Sequence, residues 1–238
     1  MISVHASAVC RVLDGYTGRE IVPSALLCAL DGVPCRPVGK EGGYLVLTNL
    51  SHGLHRLSLR CRGYQEEWVE FEADSGTCRF EVTMKPGPAY PFRQTVTRLM
   101  LTVSGGNAPA AGRTVWLAAP GPELKLAQTK AQAGDKQFRL YCKGTAVPGV
   151  YLLEDGADSE IVSLQSLEGE TGLLSEPLQK DHGRGKRFLP AQRYHTGEDG
   201  ALSAVFRFPC TVQIFTEEAG LAGSVELSEG DNQSTVTL

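Results

Sequence analysis

The chain has 238 residues, enough for one large β domain or two of ordinary size. Hydrophobic residues make up 42% and charged residues 21%, a balance that excludes a disordered chain. The formal net charge is −4 without a basic stripe, so the composition does not indicate a nucleic-acid-binding protein.

The first part of the chain predicts short β-strands separated by turns. Alternation is clearest over residues 55–62, where Leu57, Leu59 and Cys61 share one face. Asp-Gly and Gly-Gly pairs supply the turns because these residues tolerate positive φ. A β-sandwich is the expected fold for this strand count. The predicted strands are 4–13, 24–30, 35–38, 44–48, 55–62, 68–73 and 78–84.

Two motifs in this part are similar to those of a known family. The first is Val12-x-Asp14-x-x-Thr17-Gly18-Arg19. The second spans residues 42–64, with a Gly-Gly turn, a strand, an Asn-Leu-x-x-Gly corner, another strand and a Gly-Tyr end. Together they resemble the carboxypeptidase-regulatory-like (prealbumin-like) β-sandwich over residues 4–85. The resemblance implies a domain at 1–86 that acts as a scaffold or binding module.

A Pro-rich segment follows the first predicted domain. Three prolines within residues 86–92 cannot continue a strand ladder and stiffen the connection. We therefore expect a linker at 87–92.

Residues 93–238 predict a second β-sandwich. Its strands are expected at 95–103, 113–118, 136–142, 150–154, 160–165, 201–208, 211–216, 224–227 and 235–238. The region 168–194 is longer and more polar, so we expect a long polar loop or insertion there. The predicted fold is all-β, with two Ig-like or prealbumin-like sandwich domains joined by the Pro-rich linker.

Seven cysteines occur, an odd number without any Cys-x-x-Cys spacing. Most lie in apolar runs, which predicts buried, reduced thiols. The N-terminus lacks the pattern of a secretory signal, and no apolar run is long enough to span a bilayer. We expect synthesis in the cytoplasm without a signal peptide. This expectation includes a protein that becomes part of a particle and is released later with it.

Motifs for catalysis are weak. His195 and Glu198 match a minimal zinc spacing, but a third ligand is missing. A nucleophile elbow and a phosphate-binding loop are both absent from the sequence. Cys142 or Cys210 beside His182 or His195 would make a thiol pair, although a strand face explains Cys142 more simply. We expect no enzymatic activity, no metal site and no cofactor.

Two charged segments lie in the second part. Residues 154–160 are acidic and predict a solvated hairpin, since their spacing is not that of a calcium loop. Residues 180–188 are basic and glycine-containing. They form either an exposed mobile loop or a contact to an acidic neighbouring subunit or polyanion. The candidate contact residues are Lys180, Arg184, Lys186, Arg187, Arg193 and Tyr194.

These observations favour a non-catalytic structural or interaction subunit of a larger bacterial assembly. A phage-tail-like contractile injection particle is one concrete setting, chosen by analogy at the level of the fold. The expected partners are other protein subunits, without nucleic acid. The alternative is a carbohydrate- or cell-surface-binding β-sandwich module, in which Tyr90, Phe92 and Tyr194 would be the exposed aromatic residues.

Overall fold

The computed structural model describes residues 5–92, 95–106, 108–144 and 146–238. In these ranges the protein is all-β, with short 3-10 turns at Pro23–Ala25 and Gly156–Asp158 and no α-helix. Within the same ranges, no helix is long and apolar enough to cross a membrane. Contacts divide the chain into unit 1 (Met1–Val96 with Ala204–Arg207) and unit 2 (Thr97–Ser203 with Phe208–Leu238).

Unit 1 is built from two four-stranded sheets. The strand orders are β4-β5-β1-β8 and β3-β2-β6-β7, and β1 pairs in parallel with β8. The strands are β1 (Ala6–Asp14), β2 (Leu26–Leu30), β3 (Val33–Cys35), β4 (Val38–Lys40), β5 (Tyr44–Thr48), β6 (Gly53–Cys61), β7 (Glu67–Ala73) and β8 (Cys78–Met84).

Alternating side chains give both sheets an apolar inner face. Leu57 and Leu59 on β6 are fully buried, which confirms the alternation predicted there. They pack in one core with residues of both sheets, including Cys10 and Val12 on β1 and Met84 on β8. The core thus holds the two sheets of unit 1 together.

The β2–β3 hairpin closes through Asp31 and Gly32, whose φ values are 50° and 80°. Asp31 Oδ1 accepts a 2.8 Å hydrogen bond from the Arg56 amide, and its Oδ2 lies 2.7 Å from Nδ1 of His55. These bonds hold a non-glycine residue in the left-handed region and tie the hairpin tip to β6. The strand predicted over 35–38 is wrong, because Arg36 and Pro37 separate two short strands that join different sheets.

The segment predicted as a linker is bonded to unit 1. The Gly87 amide donates to the Gly63 carbonyl oxygen at 2.8 Å. The Tyr90 hydroxyl donates to Oδ2 of Asp14 at 2.6 Å. Tyr90 also packs edge-on against Tyr64. The linker at 87–92 and the domain bounds drawn from it stay predictions.

Unit 2 contains a path β10-β9-β20, to which β20 contributes residues 201–203, with β23 parallel to β9, and a nine-stranded sheet ordered β12-β14-β17-β16-β15-β19-β11-β21-β22. A small pair joins β13 to β18. The strands are β9 (Thr97–Gly105), β10 (Ala108–Pro109), β11 (Thr114–Ala118), β12 (Glu123–Leu126), β13 (Lys130–Ala131), β14 (Gln137–Lys143), β15 (Gly149–Glu154), β16 (Glu160–Glu168), β17 (Thr171–Leu174), β18 (His182–Gly183), β19 (Arg187–His195), β20 (Ala201–Phe206), β21 (Cys210–Thr216), β22 (Gly220–Leu227) and β23 (Gly230–Thr237).

Part of the nine-stranded sheet closes on itself, because β12 also pairs with β19. The closed ring runs β12-β14-β17-β16-β15-β19, and we call it the barrel. Its apolar core includes Phe138, Leu140, Leu153 and Phe188. The first half of β19 pairs with β15 in the barrel, and its second half pairs with β11 outside it.

The expected long polar loop at 168–194 is wrong for much of its length. β17, β18 and β19 lie within that region. Phe188 and Leu189 are buried, so this stretch of β19 contributes to the packed interior in spite of its charged flanks. An insertion around 168–194 stays a prediction, and the barrel takes in much of that region together with strands from β12 onward.

Candidate interaction surface

The two charged segments of unit 2 contact each other. Lys186 Nζ lies 2.5 Å from Oδ1 of Asp155, and Arg187 Nε donates to Oε2 of Glu154 at 2.8 Å. Lys180 Nζ donates to the carbonyl oxygen of Ala157 at 3.0 Å. The acidic turn (residues 154–160) therefore neutralises much of the basic segment (residues 180–187) within one chain.

His182 lies at the centre of this contact with a fully buried side chain. Its Nδ1 is 3.0 Å from Oδ2 of Asp155, and its Nε2 is 2.7 Å from Oε1 of Glu160. Both ring nitrogens thus face a carboxylate oxygen, and His182, Asp155 and Glu160 form one hydrogen-bond network. Glu160 also accepts from the amides of Gln179 at 2.9 Å and Lys180 at 3.1 Å.

Two aspartates in and beside the network, Asp155 and Asp181, have lowered pKa values. Burial alone would raise the pKa of Asp155, but hydrogen bonds from Lys186 and His182 outweigh it and lower that pKa. The hydrogen bond from Lys130 lowers the pKa of Asp181, and the amide of Ala133 adds to the effect. Both carboxylates are thus stabilised in their charged form.

Hydrogen bonds to the rest of unit 2 argue against one of the two sequence interpretations of the basic segment, the exposed mobile loop. The backbone of the basic segment is anchored as well as its side chains. The Arg184 amide donates to the Thr129 carbonyl oxygen, and the Gly185 amide donates to the Leu126 carbonyl oxygen. The prediction of an exposed mobile loop is therefore wrong. The contact to a neighbouring subunit stays a prediction, and the segment does not need that subunit in order to be ordered.

The six candidate contact residues differ in accessibility. Arg184 and Arg187 are exposed, while Lys180, Lys186 and Arg193 are partly buried. Tyr194 is only 5% exposed, and its hydroxyl donates to Oε1 of Gln192 at 2.9 Å. Its assignment as an exposed aromatic residue is wrong, because it lies on the inner face of β19.

A groove of about 500 Å³ lies beside the basic segment. Its charged lining combines three cations with two carboxylates, and Arg184 lies next to it in sequence. The lining includes Lys125, Glu154, Asp155, Lys186, Arg187 and Gln213. We call this region, together with Arg184, the charged groove.

Sequence reasoning missed Asp155, Glu160 and Lys125 as members of this surface. The available signal was the opposite charge of two segments of similar length in the same part of the chain. The register confirms their proximity, since Glu154 is the cross-strand partner of Arg187. A histidine inside the basic segment gave no sign of its burial.

Two other histidines with potential as reactive or metal-binding residues already have hydrogen-bond partners. His195 is exposed on β19, with Nδ1 3.5 Å from Thr114 Oγ1. In the part of the chain that the structure describes, no group of three or more His, Cys, Asp or Glu side chains is arranged so that it could hold a metal ion. His55 is held between Asp31 and the Ser51 carbonyl oxygen.

The cysteines are free, but the expectation that most are buried is wrong. Cys10 is buried, and the other six are partly exposed. Burial raises the pKa of Cys10 to about 12 and that of Cys28 to about 11. Such thiols are almost fully protonated at neutral pH and are therefore poor nucleophiles.

No protein-family model matches the chain, and no curated protein matches it either. Among solved structures, it is similar to BcpA, the major pilin subunit of Bacillus cereus, with 9% identity, a TM-score of 0.28 and coverage of 97% of this chain and 98% of that one. The shaft pilin SpaA of Lactobacillus rhamnosus GG gives 7% identity, a TM-score of 0.27 and coverage of 97% and 96%.

The Bacillus anthracis TIE protein gives 9% identity and a TM-score of 0.26, with 97% of this chain covering 33% of that protein. This chain therefore spans about a third of the length of the TIE protein. TM-scores at this level do not support an argument about function.

Proposed function

We propose that the chain is a non-catalytic structural subunit that binds other protein subunits through its charged groove. The observation that carries the proposal is the intrachain anchoring of the basic segment while Arg184 and Arg187 stay exposed. Ordering a loop costs about 1–2 kcal/mol per residue of backbone. A surface that is already ordered avoids that cost on binding.

The charge of the groove indicates the chemistry of its partner. Lys125, Lys186 and Arg187 are ion-paired with Glu123, Asp155 and Glu154, respectively. Arg184 adds one exposed positive charge next to Gly185, which lines the groove. An acidic protein surface would complement this charge and would associate in a salt-dependent way.

Unit 1 supports the same class of function. Its two four-stranded sheets and the turn at Asp14 agree with the proposed carboxypeptidase-regulatory-like sandwich. Cytoplasmic synthesis and the contractile-particle setting stay predictions that rest on sequence and on analogy. Carbohydrate binding also stays an alternative, although Tyr194 is buried and the Tyr90 hydroxyl is bonded to Asp14.

The test is the double variant Arg184→Glu with Arg187→Glu, in the full chain co-expressed with the products of adjacent genes. Arg187→Glu also places a like charge opposite Glu154, so Tm should fall by a few degrees while the chain stays folded. Binding to a co-purified partner should weaken at least tenfold at low salt, and the difference should shrink as salt rises.

A matched control separates this surface from net charge. Arg36→Glu with Arg62→Glu makes the same charge change at exposed positions of unit 1. It should leave the association constant unchanged by light scattering and titration. If the two double variants bind equally well, or if the first binds like the parent chain at both salt concentrations, the proposed contact is wrong.

A further inference from the structure

Two cysteines of unit 1 lie directly opposite each other. In the antiparallel β2–β3 pair, Cys28 is the register partner of Cys35. Directly opposite residues share one face of a sheet, and their Cα atoms are about 4.5 or 5.5 Å apart, depending on the hydrogen-bonding position. Both separations fall within the range of about 4.4–6.8 Å that a disulfide requires.

The surroundings hold this pair in place. At one end of the hairpin, Asp31 is bonded to His55 and Arg56 of β6. β2 also pairs with β6 along its length, so Cys28 lies between Cys35 and Leu59. The register therefore places the two cysteines opposite each other on strands that neighbouring residues hold in place.

The pair is also accessible. Cys28 and Cys35 are both partly exposed, and β3 is the edge strand of its sheet. Cys10 is the competing partner, because Cys28 lies near enough to contribute to the raised pKa of Cys10. Cys10 is fully buried, however, and belongs to the other sheet of unit 1. The remaining cysteines of unit 1, Cys61 and Cys78, oppose Leu26 and Ala8.

We propose that Cys28 and Cys35 are an oxidisable thiol pair that closes to a disulfide on exchange with a low-molecular-weight disulfide such as oxidised glutathione. One cysteine, as the thiolate, attacks a sulfur of the reagent, forms a mixed disulfide and releases one reduced thiol. The second thiolate then attacks the protein sulfur and releases another. The net change is loss of two protons and two electrons by the protein, matched by formation of two reduced thiols.

The protonation of the pair sets its rate. Burial raises the pKa of Cys28 to about 11, with a contribution from Cys35, and burial also raises the pKa of Cys35. Only a small fraction of either thiol is thiolate at neutral pH, so exchange should be slow there. The rate should increase about tenfold for each unit of pH between 7 and 9.

Peptide mapping of the full chain tests the proposal. Folded protein is incubated with oxidised glutathione at pH 8.5, alkylated and digested with trypsin. Residues 20–40 form one peptide, because the bond between Arg36 and Pro37 resists trypsin. Disulfide closure makes this peptide lighter by two hydrogen atoms and leaves it without alkyl groups.

Other outcomes overturn the proposal. A cross-linked peptide joining residues 1–11 to residues 20–40 would show that Cys10 and Cys28 pair instead. The incubation time is set by the time in which the denatured chain becomes oxidised. If both cysteines of the folded chain are still alkylated after that time, or still carry glutathione, the geometry does not allow the disulfide to close.

Variants identify the pair and test its strain. Cys28→Ser and Cys35→Ser should each leave the peptide with one alkyl group or one glutathione adduct. Cys61→Ser should oxidise like the parent chain. The oxidised protein should melt about 5–10 °C higher in unit 1, and the increase should disappear on reduction. A lower Tm would contradict the inference that the geometry of the pair suits a disulfide.

Discussion

His182 provides the sharpest test of the charge network in unit 2. Its side chain is fully buried, and those of Asp155 and Glu160 are 15% and 9% exposed. His182→Ala would leave both carboxylates without that partner. Leaving a buried hydrogen-bonding group without its partner costs about 1–3 kcal/mol. Asp155 keeps Lys186, and Glu160 keeps two backbone donors, so we expect about 1.5 kcal/mol for each carboxylate and about 3 kcal/mol in total.

The assay uses the two tryptophans of the chain, of which Trp68 lies in unit 1 and Trp116 in unit 2. In a Trp68→Phe background, fluorescence during urea unfolding reports on unit 2 alone. The control His195→Ala changes an exposed histidine of the same unit and should cost less than about 0.5 kcal/mol. A loss below about 1 kcal/mol for His182→Ala at pH 7 would refute the reasoning, because it would mean that the buried carboxylates do not need the imidazole.

Two further predictions concern unit 1. Tyr90→Phe removes a 2.6 Å donor from Asp14, which is 7% exposed, and should cost about 1–2 kcal/mol by urea unfolding with Trp68 as the reporter; an unchanged midpoint would contradict it. The amide of Arg56, followed by His55, lowers the pKa of Asp31, whereas the Ser51 carbonyl oxygen, followed by Asp31, raises that of His55. The stability from Asp31 is therefore present above its ordinary pKa of 3.8 and is lost as pH falls through the folded pKa. The stability from His55 is present below 6.5 and is lost as pH rises through its folded pKa, so Asp31→Asn should weaken the loss above pH 6.5 in melting curves.

The strands that sequence predicted well are those with complete local signals. β6 alternates over its whole length and is bounded by glycine or turn residues, and β8 has the same pattern. The strands that were missed depend on distant partners. β12 has only four residues, and β19 carries Pro190 within its run, which argues against a strand in isolation. Pairing with β15 and β11 provides what the local sequence lacks.

The charged surface was predicted only in parts. Arg184 and Arg187 were identified from composition, and both are exposed. Their relation to the acidic turn was not predictable, because it depends on the register of β15 against β19, across more than thirty residues of sequence. His182 lies on β18, which pairs with β13, so its burial depends on a different distant pairing, and nothing in the residues beside it indicates an apolar site.

The barrel has one further consequence for how the chain is built. Ala118, the last residue of β11, is the direct cross-strand partner of Ala191 on β19, and the Ala119 amide donates to the Pro190 carbonyl oxygen at 3.1 Å. The segment 119–190 therefore leaves and re-enters its parent sheet at adjacent points, which is the geometry of a module inserted into a hairpin. A two-residue turn could replace the whole segment and join β11 to the second half of β19. The same junction is thus a natural graft site, at which other sequences with closely spaced ends could be presented on this scaffold.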